Sequence, residues 1–200
     1  MVARVVGVDQ APPKGTHGPK FRFCRADIRD EFLLRSILED ESVDTVFHLA
    51  FQMGEPKDEV HARAINVGGT LTVLEAANKS STAKRLILSG SASAYGARRG
   101  NPEFLTEDDP LRADTLRYGI HKRIVEQEIE KAMPAVRRSL QVCVLRICTI
   151  VGGSERGDGP VKTFCELPVA VSVLLQRGGF QFISEPDLMK VFLRAMEAPE

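Results

Sequence analysis

Five short apolar runs, near residues 4–8, 21–24, 44–49, 84–89 and 140–147, recur along the chain, and most intervals between them carry helical periodicity. Strands that alternate with amphipathic helices bury both faces most simply as a parallel sheet wrapped by helices, so the pattern predicts a doubly wound α/β fold. Asp30 to Leu38 predicts a short helix with Phe32, Leu33, Leu34, Ile37 and Leu38 turned inward. Ile65, Leu71, Leu74 and Ala77 mark a second helix, and Tyr118, Ile120, Ile124, Val125 and Ile129 a third that stops before Pro134. Ala11 to Lys20, with three Pro and two Gly, reads as an irregular crossing; Gly152 to Pro160, with four Gly, reads as the exit from a core spanning residues 1–150. Beyond it, Leu167 to Leu175 is apolar, Phe180 to Ile183 predicts a short strand, and Asp187 to Met196 predicts an amphipathic helix.

Charge and cysteine usage narrow the classes of function. Lys+Arg and Asp+Glu balance at 27 each, so no basic face is expected to hold a phosphate backbone, and nucleic acid is not an expected partner. No apolar run approaches the length of a membrane span, and Met1 is not followed by a signal-like stretch. Cys24, Cys143, Cys148 and Cys165 form no C-x-x-C pair, which fits a reducing, cytoplasmic setting. His17, His48, His61 and His121 lack metal-ligand spacing, so no metal is expected; His48, inside an apolar strand, reads as a satisfied core histidine. Arg98-Arg99 and Arg137-Arg138 read as solvated surface pairs.

Chemistry concentrates after the fourth apolar run. Arg85-Leu86-Ile87-Leu88 leads into Ser89-Gly90-Ser91-Ala92-Ser93-Ala94-Tyr95-Gly96, which places three serines at the carboxyl end of a buried strand, where open α/β sheets bind ligands. Downstream, Tyr118 and Lys122 are four apart on a helix, so an ammonium can stand beside a phenol and favour its phenolate. A tyrosine tuned in that way exchanges protons near neutral pH. Each serine also has a plainer reading, a turn that satisfies its own backbone.

The order of strand, serines and Tyr/Lys helix resembles the short-chain dehydrogenase/reductase superfamily. Ser93-Ala94-Tyr95-Gly96 and Asn66-Val67-Gly68-Gly69-Thr70 resemble its extended branch, the NAD-dependent epimerase/dehydratase family, as do Val5 to Asp9, Arg25 to Asp30, Val46 to Ala50 and Val144 to Gly152. The resemblance implies a Rossmann-like core, with residues 151–200 beginning a smaller substrate lobe, and NAD as cofactor. Asp9 would accept from the adenosine ribose hydroxyls, or simply cap a turn. Asp27 and Ile28 would contact adenine, or else cap a helix and join the core.

The same resemblance puts Leu49 and Ala50 against the dinucleotide, with Phe51 crowding a position the family keeps small. Asn66 would steady the strand ends, or merely cap a helix. Ser89, Ile147 and Cys148 would line the nicotinamide side, Ser93 and Thr149 would touch substrate, and Tyr95 would be a second aromatic wall or packing. Ser91, Tyr118 and Lys122 would be catalytic. The implied substrate is a nucleotide sugar and the implied assembly a homodimer. The chain lacks a Gly-rich turn before Asp9, so the family's first βα unit and its C-terminal end are expected to lie outside this sequence. Two other readings stay open: a non-catalytic dinucleotide-sensing or scaffold relative, and a steroid or small-ketone dehydrogenase of the same superfamily.

Overall fold

The computed structural model describes residues 2–15, 17–53, 58–152 and 181–198. Strands β1 (Val5–Asp9) and β2 (Phe21–Arg25) form a parallel pair, joined by the irregular crossing that the Pro and Gly content predicts. Strands β3 (Thr45–His48), β4 (Arg85–Ser91) and β5 (Gln141–Ile147) form a second parallel sheet in the order β3-β4-β5. A third parallel pair, β6 (Thr149–Val151) and β7 (Phe182–Ser184), begins one residue after β5. The expected single sheet is therefore divided: among the described residues β1 hydrogen-bonds only to β2, and β3 only to β4. One apolar core still spans the division, from Val6, Val8 and Cys24 through Leu34, Ile37 and Leu74 to Leu86, Leu88, Val125 and Val142.

Helix α1 (Glu31–Asp40) starts at Asp30, whose side chain accepts from the Leu33 amide at 3.0 Å and satisfies one of the open donors at the helix start. Its inner face is narrower than expected: Leu34 and Ile37 are buried, but Phe32 is 71% exposed. At about 100° per residue Phe32 lies on the far side of the helix from Leu34, so apolar character alone did not carry it inward.

Helix α2 (Glu59–Arg63), capped by Asp58 onto the His61 amide, runs through a π-helical stretch, Ala64–Gly69, into α3 (Thr70–Lys79). Asn66 was expected to open a helix, yet it lies inside this continuous run and is 1% exposed. A π-helical turn adds a residue to the ladder and re-aims a side chain, which explains an internal Asn.

Arg137 also departs from its expected role as a solvated surface residue. Its guanidinium donates to the carbonyls of Ala77, Asn78, Ser80 and Ala83, gathering up the end of α3 and the approach to β4. The last four carbonyls of a helix need donors, and an arginine fork supplies several at once.

Helix α4 (Arg117–Ala132) packs against the turn that follows β4. Gly119 allows this approach, since a Cβ there would meet the Ser93 carbonyl oxygen at 2.7 Å. After it, Pro134 sits in a single 3₁₀ turn, as a helix-ending proline should. Helix α5 (Glu185–Glu197) is capped by Ser184 on the Asp187 amide, and Arg85 of β4 donates to the carbonyls of Met196 and Ala198 at its far end. The strand expected near 180–183 and the helix expected near 187–196 are thus present, whereas Leu167 to Leu175, Cys165 and most of the Gly152 to Pro160 exit lie outside the described residues. Parallel strands flanked by helices make this a Rossmann-like α/β fold.

Candidate active site

The carboxyl end of β4 is where the predicted residues meet. Ser91 pairs in register with Ile147 of β5, and Cys148 follows at once. Ser91 Oγ accepts from the Ser93 amide at 3.1 Å, so the plain turn-satisfying reading is realised, yet its hydroxyl still acts on Tyr118. Ser89 Oγ donates to the His48 carbonyl oxygen across the β3–β4 boundary. Ser93 is exposed beyond the turn, and Thr149 opens β6 with its amide on the Gln181 carbonyl. Tyr95 serves packing: it is 6% exposed, donates to the Thr106 carbonyl oxygen and receives Arg146 at 2.6 Å.

Tyr118 and Lys122 both face this end from α4, but their expected pairing is modified. Lys122 Nζ donates to the Ser89 carbonyl oxygen and lies 3.6 Å from the centre of the Phe51 ring, against 5.6 Å for the Tyr118 ring. A buried ammonium needs an acceptor more than it needs a neutral phenol, and the Ser89 carbonyl supplies one. Burial accordingly raises the Tyr118 pKa in this state, with the Ser91 hydroxyl acting in the opposite direction. The expected lowering of the phenol pKa by Lys122 is therefore absent here. Burial also lowers Lys122 to about 8, opposed by the charge of Glu126.

His48 is the core histidine the sequence suggested. It is 7% exposed, and burial, then the Lys122 charge, lowers its pKa to about 4, so the ring is neutral at pH 7. The Thr70 hydroxyl donates to the Asn66 carbonyl oxygen, which leaves His48 Nε2 as the donor to Thr70 Oγ1 at 2.9 Å.

Asn66 has a definite task. Its side-chain oxygen accepts from the Gln52 amide at 2.7 Å and its Nδ2 donates to the Gln52 carbonyl oxygen at 3.0 Å, which clamps the loop after β3. Phe51, the residue before, stands edge-on to Tyr118 at 5.5 Å between ring centres. Behind Asn66, His121 Nδ1 lies 3.1 Å from Nδ2, and His121 Nε2 lies 3.0 Å from Glu59 Oε1.

The remaining candidates sit elsewhere. Asp9 ends β1, exposed; its Oδ1 accepts from the Ala11 amide, and its other oxygen has no partner among the described residues. Asp27 is engaged at both oxygens by Arg29 and Gln10, and the Arg29 bonds hold its carboxyl at about 2. Its alternative as a helix cap also fails, since Asp30 caps α1. Ile28 packs against Gly69, where a Cβ would stand 2.4 Å from its Cδ1, so its side chain belongs to the core. Leu49, 57% exposed, and exposed Ala50 follow β3. With the open oxygen of Asp9, the exposed carboxyl ends of β1 and β3 fit a dinucleotide. Among the described residues no cluster of three His, Cys, Asp or Glu side chains is placed to hold a metal ion, and no helix is long and apolar enough to cross a membrane.

His121, Glu126 and Arg146 complete the site's surroundings and carried no role in the sequence reading. Glu126 had a visible signal, being four residues beyond Lys122 and eight beyond Tyr118 on one helix stripe; Arg146 had none, because its partner is 20 residues away in sequence.

Residues 2–170 match the family described as NAD dependent epimerase/dehydratase. A UDP-glucose 4-epimerase of Lactobacillus helveticus is 34% identical over 143 residues, covering 70% of this chain and 42% of its own length. An uncharacterized protein of Mycobacterium bovis is 27% identical over 204 residues, covering 99% of this chain and 53% of its own. The chain thus spans about half the length of the curated relatives it matches. Among solved structures, MoeE5 in complex with UDP-glucuronic acid and NAD superposes with a TM-score of 0.76 at 25% identity, over 98% of this chain and 65% of that one. Fold, site geometry and these matches agree: the chain belongs to the NAD-dependent epimerase/dehydratase family, whose cofactor is NAD.

Proposed function

We propose that this chain forms the NAD-binding and proton-transfer part of an oxidoreductase of the epimerase/dehydratase type, acting on a hydroxyl carbon of a nucleotide sugar. The observation that carries the reading is the convergence of Ser91, Tyr118 and Lys122 on the carboxyl end of one buried strand. Folding alone does not require a buried lysine, a half-buried phenol and a donor hydroxyl at one point. The relative named as a UDP-glucose 4-epimerase and the MoeE5 complex with UDP-glucuronic acid support a nucleotide sugar as substrate. Residues 1–150 are the dinucleotide part of this reading and residues 151–200 the start of a substrate lobe, in a homodimer.

NAD, when bound, supplies the acceptor for the hydride that leaves the carbinol carbon. Tyr118, once its own proton has passed to solvent, takes the proton of the substrate hydroxyl as a phenolate, and the Ser91 hydroxyl donates to the same substrate oxygen. Lys122 balances the charge of that phenolate before the proton arrives. Asp9 offers its open carboxylate oxygen to the ribose hydroxyls and disfavours a 2′-phosphate. Phe51 excludes water from the Tyr118–Lys122 pair.

Replacing Tyr118 by Phe is the test. Turnover should fall by about 10²–10⁴-fold, the usual worth of a positioned acid-base group, while NAD affinity measured by calorimetry stays close to wild type. Unchanged turnover in Tyr118→Phe overturns the assignment. A protein that fails to bind NAD at all would return the non-catalytic scaffold reading to first place.

A further inference from the structure

Helix α4 carries a third ionisable residue on the stripe that begins with Tyr118 and Lys122. Glu126 follows at the same four-residue interval and is 9% exposed. Leaving a carboxylate in the interior costs several kcal/mol unless it is paired. Arg146 of β5 pairs with one oxygen, its Nε donating to Oε2 at 2.8 Å. The other oxygen, Oε1, is fully buried and has no hydrogen-bond partner among the described residues.

That free oxygen has a direction. It points at the strand position where β4 has no side chain: a Cβ on Gly90 would stand 3.1 Å from it. Glu126 and Gly90 line one small cavity, of about 10 Å³, together with Lys122, His48, Thr70 and Ser89. We propose that Glu126 is a positioning residue for the reaction, its buried carboxylate, anchored by Arg146, being the counter-charge that holds the Lys122 ammonium at the end of β4.

The other neighbours of Lys122 do not serve that purpose. From β3, His48 is neutral; from β4, Ser89 offers a carbonyl dipole; from the loop after β3, Phe51 offers a ring face. From α4, Tyr118 is a neutral phenol in this state. From α3, Thr70 is occupied with Asn66 and His48. From β5, Arg146 turns its charge to Glu126. Glu126 is the one anion among them, and its charge opposes the lowering of the Lys122 pKa that burial causes. Arg146 Nη1 is held by the Tyr95 hydroxyl and the Glu107 carbonyl oxygen, which leaves its Nε to anchor Glu126.

The inference rests on the role proposed for Lys122, but its test reads the resting protein rather than turnover. Glu126→Gln keeps the volume and an acceptor for Arg146 while removing the charge. The Lys122 titration, followed by the ¹³Cε resonance, should move down by about one pH unit or more from its wild-type midpoint near 8. In the folded variant, a midpoint within about 0.3 unit of wild type overturns the proposal. If the variant does not fold, the wild-type protein decides: the Glu126 ¹³Cδ resonance must inflect at the Lys122 midpoint, and a flat response across that range overturns the proposal. Failure of Tyr118→Phe to lose turnover would sink the catalytic reading without moving either resonance, so the two failures are separable.

Discussion

Strands β4 and β1 are both parallel and both apolar, but they live in different surroundings. Leu86, Ile87 and Leu88 of β4 are 0%, 1% and 2% exposed, whereas no residue of β1 is buried and Val5 is 50% exposed. The cause is neighbours: β4 lies between β3 and β5 with α4 packed against it, while β1 pairs with β2 alone among the described residues. The comparison shows where each kind of chemistry can sit. A lysine pushed to about 8 and a histidine to about 4 require the dry surroundings of β4. The β1–β2 pair instead presents Asp9 at an exposed strand end, with one carboxylate oxygen open, while Asp27 just beyond β2 is taken up by Arg29 and Gln10.

The largest effect that would break this contrast is on stability. Leu86→Ala should cost about 2–5 kcal/mol in urea unfolding, and Val6→Ala of β1 less than half as much. Equal costs would mean that β1 belongs to the core as fully as β4.

The pH dependence of stability sharpens the same point. His48 has a folded pKa below its unfolded value, so the unfolded chain binds more protons between about pH 4 and 6.5. Stability therefore falls as pH drops through that window, by about 3 kcal/mol in all, and His48→Gln should flatten the fall. Asp27, whose folded pKa is about 2 against an ordinary 3.8, contributes stability that is lost only as pH falls from 3.8 to about 2. Its exposure keeps that contribution small. Unfolding midpoints collected from pH 7 to pH 3 separate the two; a wild-type curve no steeper than that of His48→Gln would refute the buried, neutral assignment.

Glycines offer a finer probe. Gly90→Ala would drive a Cβ to 2.7 Å from Val144 Cγ1 and 2.9 Å from the Leu145 carbonyl oxygen, and should cost about 1–3 kcal/mol. Gly7→Ala in β1 meets the tip of the Phe21 ring at 2.7 Å, and a ring on an unburied strand can swing aside, so thermal unfolding should show a smaller loss. The smallest effect expected is that of Arg29→Ala, which removes an exposed pair with Asp27 and should leave the thermal unfolding midpoint close to wild type.

Much of this was legible in advance because it depends on local periodicity. The five principal strands and the helices at α1, α3, α4 and α5 are spelled by apolar spacing within a few residues of where they occur. Ser91, Tyr118 and Lys122 were legible for a similar reason, since strand-then-turn and i, i+4 spacing place them before any tertiary contact is known. Phe32 misled, because its apolar character carries no information about which way the helix turns. Asn66 misled because helix-opening Asn is common and a π-helical interior is rare. Arg137 was unreadable as a cap because the carbonyls it gathers lie more than 50 residues earlier.

The sequence by itself determined the class of fold, the order of its elements and the three residue types at the candidate site, because each follows from spacing along the chain. Tertiary structure alone decided that Lys122 turns to the Ser89 carbonyl and the Phe51 ring, that Asp27 is consumed by Arg29, and that Glu126 and Arg146 stand behind the site. The physical reason is desolvation. How much water a charged group loses, and which distant partner replaces that water, is set by the packing of segments far apart in the chain, and no local pattern encodes it.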